Sequence, residues 1–470
     1  MKLRLQHVEA LQDAKEWDAL LDYCLRWKED EPEEAEAWYH LGMTYGNLGL
    51  LEESVDAFQR VAEILPDSSS PWMNIGVSQT ALERYPEAIA AYRRAVEIEP
   101  GDGEFWHALG RAYFNNEQYT EALEAIQKAL EIEPDNGDFW FSLGGSFTLL
   151  GQHIEAEQAY RKAVELEPDQ SSIWYGLEVA CRSLGRLQES VDALQSALKT
   201  DPESFVTLVE LGYVCQEMGL DKDASDAFRK ALNVHSDDAD TLYDLGCTLN
   251  DLDCYAEALE AYQKALKINP ENASAWHNLA DVCVKLSRYD EALDAAMRAT
   301  TIDPDDASIW HGLGVVRLHR KNYAEAVTVN QRALQADSNY GDAWHNLGIA
   351  YDEIGLHAEA ITSFQRAVQC DPGVTNYWKS LGHSNRKLER YPEAIEAYRQ
   401  VLKGDSKDAD VWQELGVAYA ELEQHTDAID AFCQALQIDP LRWITAGIIL
   451  DFCTIILIAP PRPSMCIDRH

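Results

Sequence analysis

The chain has 470 residues, with 39 Lys and Arg against 81 Asp and Glu, for a formal net charge of −42 at pH 7. That balance argues against nucleic acid and anionic membrane surfaces as partners, since both need a phosphate-neutralising basic face. Length alone would suggest about three globular domains, a guess that an internal repeat overrides.

The chain opens Met-Lys-Leu-Arg-Leu-Gln-His-Val-Glu, without the apolar core of a secretion signal, and its ten cysteines show no close-paired metal spacing. Both features point to a reducing cytoplasm. Residues 1–34 carry one weak helical face, Trp17, Leu20, Leu21, Cys24 and Leu25, followed by Pro32. They read as a degenerate capping repeat ahead of the regular ones.

From Ala35 the apolar pattern recurs every 34 residues through twelve units, ending at Arg442. The clearest unit is 341–374. Trp344, Leu347, Gly348 and Tyr351 stand at i, i+3, i+4 and i+7, one face of a helix, and Ala360, Phe364 and Ala367 repeat that logic on a second. Gly355 supplies the left-handed residue that ends the first helix, and Pro372 closes the second. Gly348 and Ala360 let the two antiparallel helices approach closely.

The order Trp-x-x-Leu-Gly-x-x-Tyr, Ala-x-x-x-Phe-x-x-Ala, Pro on a 34-residue unit resembles the tetratricopeptide repeat. The resemblance implies an all-α, right-handed α-solenoid of twelve helix-turn-helix units over 35–442, whose first helices line a concave groove. Ten units carry the signature tryptophan, from Trp38 to Trp412, with Leu208 and Leu242 in the sixth and seventh. Strict helical periodicity makes that stripe core in preference to a stacking platform for bases or sugars, and a Trp→Ala change there is expected to cost about 3–5 kcal/mol. Cys181, Cys215 and Cys283 share the position of Tyr351 and read as small buried hydrophobes.

Much of the acid sits at the joints, as in Pro304-Asp305-Asp306 and Pro134-Asp135-Asn136, where side-chain oxygens cap the next helix. The acidic stretches 236–240 and 405–410 lack the alternating ligands, central glycine and terminal Glu of a calcium loop. There is no phosphate-cradling glycine loop, no His-Glu-x-x-His helix and no nucleophile elbow. No cofactor, metal or catalytic residue is expected. His107, His277, His311 and His345 each follow a signature Trp, but neighbouring helix axes lie about 8–10 Å apart, too far for sharing one zinc.

With Ala35 as position 1, positions 2, 5, 6, 9, 12 and 13 of each first helix face the implied groove. In repeats eight to eleven they give a polar, partly basic strip: His277, Asn278, Asp281, His311, His345, Asn346, Asp352, Lys379, His383, Arg386 and Lys387. Arg317, His319, Arg320 and Lys321 add to it. An extended peptide would suit this strip, with Asn amides bonding its backbone and Lys or Arg meeting acidic side chains or a free C-terminus. The family's carboxylate clamp is not reproduced, since His383 and Glu414 follow Lys379. Only Asn74, Asn278 and Asn346 echo the asparagine ladder of sugar-on-serine glycosyltransferases. Glu178 stands where the tight glycine belongs and Asn330 where the second-helix aromatic belongs, each either loosening a joint or making a specific contact.

The tail 443–470 abandons the period. Its apolar run Trp443 to Ala459 contains Asp451 and is about 17 residues long, at the lower edge of what spans a bilayer. It is read in three ways: a stretch outside the repeat frame, with the natural chain continuing past 442, an apolar cap on repeat twelve, or a membrane-associating segment. The expected function is non-catalytic, a scaffold or adaptor that binds a peptide or partner protein in the groove. The alternatives are the recognition arm of a glycosyltransferase-like enzyme whose catalytic part is missing or in trans, and an assembly chaperone.

Overall fold

The computed structural model describes residues 2–439, and among them the chain is all-helical, with twenty-six α-helices and no strand. Each repeat pairs a first helix of 12 or 13 residues with a second of 14, for example Gly341–Glu353 with His357–Cys370. The pair Lys2–Asp13 and Trp17–Asp30 precedes the first of them. Within each unit the helices pack on their sequence neighbours, and several successive first helices also pack on each other. Contacts group the chain into two compact units, Met1–Ser236 and Asp237–His470. Neighbour-only packing makes such a division cheap anywhere along a solenoid. The readings of 443–470, and the end of the twelfth repeat, fall outside the described residues. No described helix is long and apolar enough to cross a membrane.

The turn inside each repeat depends on one left-handed residue. Gly355 has φ +83°, and Leu356 N donates to Tyr351 O while Gly355 N donates to Asp352 O, the paired bonds of a Schellman end. Five repeats use glycine here. The other seven place Glu83, Glu117, Asp253, Ser287, Lys321, Glu389 or Glu423 at φ 57–60°, as Lys15 does at 54° in the leading pair. At the joints, Asp306 Oδ1 accepts from Ser308 N at 2.7 Å, and Asn136 Oδ1 accepts from Phe139 N at 3.3 Å. Both side chains cap helices, as their positions imply.

The buried stripe of the first helix is rotated from the expected one. In repeat ten Ala343, Leu347, Gly348 and Ala350 are buried, while Trp344 and Tyr351 are only half-buried. The tryptophans pack against the buried residues of the core, as expected, but stand at its rim without being buried themselves. Their indoles also clamp the preceding joint, with Nε1 donating to the carbonyl six residues back: Trp344 to Ser338 at 2.9 Å, Trp310 to Pro304 at 2.7 Å. Nine of the ten signature tryptophans make this bond. Trp72 does not: its helix starts one residue late, at Ser70, and its Nε1 is buried without a partner. Trp344→Phe keeps an aromatic ring, though a smaller one, and loses the bond, which is expected to cost about 0.5–1.5 kcal/mol, measured as a shift in urea midpoint. Trp72→Phe should cost less than that.

Ala360, Phe364 and Ala367 are buried as expected. A Cβ on Gly348 would lie 2.5 Å from Phe364 Cε1, so the close approach of the two helices requires glycine.

Candidate functional site

The outward positions of the first helices form a surface tied together across repeats. Asn346 Nδ2 donates to His311 Nε2 at 2.8 Å, His345 Nε2 meets Ser380 Oγ at 2.9 Å, and His107 Nε2 meets Ser142 Oγ at 2.8 Å. Asn278 Nδ2 donates to Tyr243 Oη at 3.1 Å. Each bond joins position 5 of one repeat to position 6 of the next, 35 residues apart. His277 has no polar group opposite. Its ring lies over Gly312, where a Cβ would come within 2.7 Å of Cε1 and Nδ1.

The same 35-residue spacing recurs at both ends of the helices. Lys387 Nζ donates to Asp352 Oδ2 at 2.5 Å, Lys285 Nζ to Asn250 Oδ1 at 3.1 Å, and Tyr377 Oη to Asp342 Oδ1 at 2.6 Å. Arg182 reaches Glu217 in the same way.

These bonds set the electrostatics of the strip in 277–387. Burial pushes His277, His311, His345 and His383 below the ordinary imidazole value, so they are neutral at pH 7. Lys379 Nζ pairs with Asp408 Oδ2 at 2.8 Å, and Arg386 Nε stands 2.7 Å from Glu414 Oε2, a close ion pair whose angles fall short of a hydrogen bond. Burial alone would raise the Asp352 carboxyl, but hydrogen bonds from Lys387 and His357 outweigh it and hold it low. Arg317 leaves the core to meet Glu325 at 2.6 Å, and Arg320 meets Asp290 at 2.8 Å. All nine predicted site residues therefore sit on the first-helix face, but the cations among them are already neutralised. The three asparagines are also engaged, Asn74 with its own helix at Ser70 O.

One acidic group of possible metal geometry exists among the described residues: Glu157, Cys181 and Glu189 offer atoms within 4.8 Å of one another. Arg161 bonds both carboxylates and Arg186 bonds Glu157 at 3.0 Å. Burial raises the Cys181 thiol to about 11, away from the thiolate a metal requires. Arginine already does there what a cation would do.

A cavity absent from the sequence reading lies on the first-helix face of repeats three and four. It encloses about 410 Å³ between Gly103–Asn115 and Gly137–Leu149 and is lined by Arg111, Phe114, Asn115, Phe141 and Gly145, with Ile126 and Tyr160 of the second helices behind. Phe114 is held edge-on by Tyr119 at 5.5 Å and Phe141 is tilted on Tyr160 at 5.8 Å. Arg111 is exposed and, among the described residues at positions 5, 6, 9, 12 and 13 of the first helices, is the one Lys or Arg without a carboxylate partner. The sequence signal was the row of ninth positions, where Arg111 is followed by Gly145.

Family models agree with this architecture. A model described as the C-terminal domain of cilia and flagella-associated protein 70 matches residues 83–271, and tetratricopeptide repeat models match 35–68, 254–314, 305–373 and 380–442. No curated protein matches the chain. Among solved structures, YrrB, a TPR protein with an unusual peptide-binding site, is 27% identical over 39% of this chain and 94% of its own, with a TM-score of 0.35. The Cut9–Hcn1 hetero-tetramer of the APC/C is 15% identical over 95% of this chain and 94% of that one, with a TM-score of 0.42. A tetratricopeptide repeat protein of Parabacteroides merdae is 16% identical over 53% and 98%, with a TM-score of 0.44.

Proposed function

Because this chain is a tetratricopeptide repeat protein, we propose that it is a non-catalytic interaction scaffold whose first-helix face holds an extended segment of a partner protein. The observation that carries this reading is the set of 35-residue bonds between adjacent first helices. They fix the polar side chains before any partner arrives, so little side-chain entropy remains to be lost on association. On this reading His277, Asn278, His311, His345 and Asn346 form a rigid polar floor. Lys379, His383, Arg386 and Lys387 form its charged end. An acidic partner would trade places with Asp352, Asp408 or Glu414 there, an exchange that contributes register more than affinity. The described cysteines are all free thiols, which supports a cytoplasmic location.

Photocrosslinking tests the reading. A benzoylphenylalanine at Asp281 or Val77, exposed on first helices, should capture a partner, and one at Thr328 or Thr362, exposed on second helices, should not. Crosslinks confined to the second-helix positions would overturn it.

A further inference from the structure

We propose that the cavity of repeats three and four is a recognition pocket for an internal partner segment in which an aromatic side chain is followed closely by an Asp or Glu. The proposal rests on the scaffold reading above and names the chemistry of what it holds.

The walls come first. Phe114 and Phe141 face the opening, and Ile126 and Tyr160, both nearly fully buried, close the back. The floor is open because Gly145 has no side chain. A Cβ there would stand 3.7 Å from Phe114 Cε2 and 3.8 Å from Tyr160 Oη, ordinary contact distances, so the space beyond it is accessible and unstrained. About 410 Å³ lies within the range of pockets that enclose small organic groups, and an aromatic ring matches both the volume and the ring-lined walls.

The rim supplies the charge. Arg111 and Asn115, one turn apart on the same helix, line it, and neither has a hydrogen bond or ion pair among the described residues. The nearest titratable groups do not consume the guanidinium. Burial drives His107 down to about 4, leaving it neutral and bonded to Ser142. Glu104, raised by burial and by Glu133, Asp102 and Asp138, is drawn down by Arg111 without an ion pair. In a chain of net charge −42, an unpaired arginine beside an apolar pocket is complementary to a carboxylate next to an aromatic ring. Apolar surface continues beyond the pocket, with Val77 50% exposed on the preceding first helix, Ser70–Ala81, and Leu149 52% exposed at the end of the pocket's own helix Gly137–Leu149. A segment running through the pocket would cover both, which favours an internal stretch over a chain end.

The test is selection of random eight-residue peptides against the full 470-residue chain, in one library with blocked C-termini and one with free C-termini. The expected winners carry Phe, Tyr or Trp followed within two residues by Asp or Glu and appear in both libraries. A synthetic winner should bind Arg111→Gln and Gly145→Leu about tenfold more weakly than the parent, and Arg94→Gln, on an exposed second-helix site, equally well. Arg111 is exposed and unpaired, so its substitution leaves the fold intact, which circular dichroism checks. Winners whose binding is unchanged by both pocket variants overturn this site and leave the scaffold reading standing. Enrichment in the free-end library alone overturns the internal segment. If no peptide is enriched in either library, both readings fall.

Discussion

Glu178→Gln is expected to stabilise the unit 1–236 by about 2 kcal/mol at pH 7.5 and to change little at pH 4. Glu178 occupies the position that glycine holds in most repeats, and it is 1% exposed. Elsewhere the absent Cβ makes room for a second-helix ring, as where a Cβ on Gly212 would lie 2.4 Å from Phe228 Cε1. In repeat five the second helix offers Leu194 and Ser190 instead, and Ser190 Oγ donates to Glu178 Oε1 at 3.0 Å. Burial raises the carboxyl to about 6, against the lowering by the Ser190 bond and by Arg182, which is itself held by Glu210 and Glu217. Between the ordinary carboxylate value and about 6 the folded chain keeps a proton that the unfolded chain has released. Stability is therefore lost as pH rises through that window, and above it the full cost of a buried charge applies. Glutamine keeps an acceptor for Ser190 and carries no charge. Urea midpoints of parent and variant from pH 4 to 8 should differ by an amount that grows from about 4.5 to 6 and then levels. A difference that stays flat with pH sinks the argument.

The same residue shows where sequence reasoning stops. The period, the helix pairing, the turn at Gly355, the caps at Asp306 and Asn136 and the close approach at Gly348 were all readable, because each is a local rule repeated many times. The centre of the buried stripe was not. Trp344 and Tyr351 dominate any hydrophobic pattern, whereas Ala343 and Ala350, which are buried, carry almost no signal. The turn was readable only where glycine stands. At Glu117 the left-handed conformation is imposed by the repeat around it. For the candidate surface, spacing shows which side chains leave the helix on that face, but not what they meet. Asp408 lies 29 residues from Lys379 and Asp352 lies 35 from Lys387, so a strip that looks basic in sequence is neutral once folded. Arg111 stands out for the opposite reason, having nothing opposite to neutralise it.

Asn330→Leu is the other large expected effect, a gain of about 1–3 kcal/mol in the unit beginning at Asp237. Asn330 replaces the second-helix ring of other repeats and is fully buried. Its Nδ2 donates to Ala326 O at 2.8 Å within its own helix, while Oδ1 has no partner. An unsatisfied buried acceptor carries its desolvation cost without return, and leucine removes that acceptor at similar volume. Gly314 faces it closely, a Cβ there coming within 2.7 Å of the amide, so the glycine leaves the room that an apolar side chain at 330 needs. One helical turn beyond Gly314, the Nε of Arg317 is also buried without a partner. A buried water joining that donor to Asn330 Oδ1 would satisfy both, and the double-mutant cycle with Arg317→Leu separates the two situations. If Oδ1 is unsatisfied, Asn330→Leu raises the urea midpoint equally in the parent and in Arg317→Leu. If a bridging water satisfies it, the gain is missing in the parent and appears only once Arg317 is removed, and the expectation stated here fails.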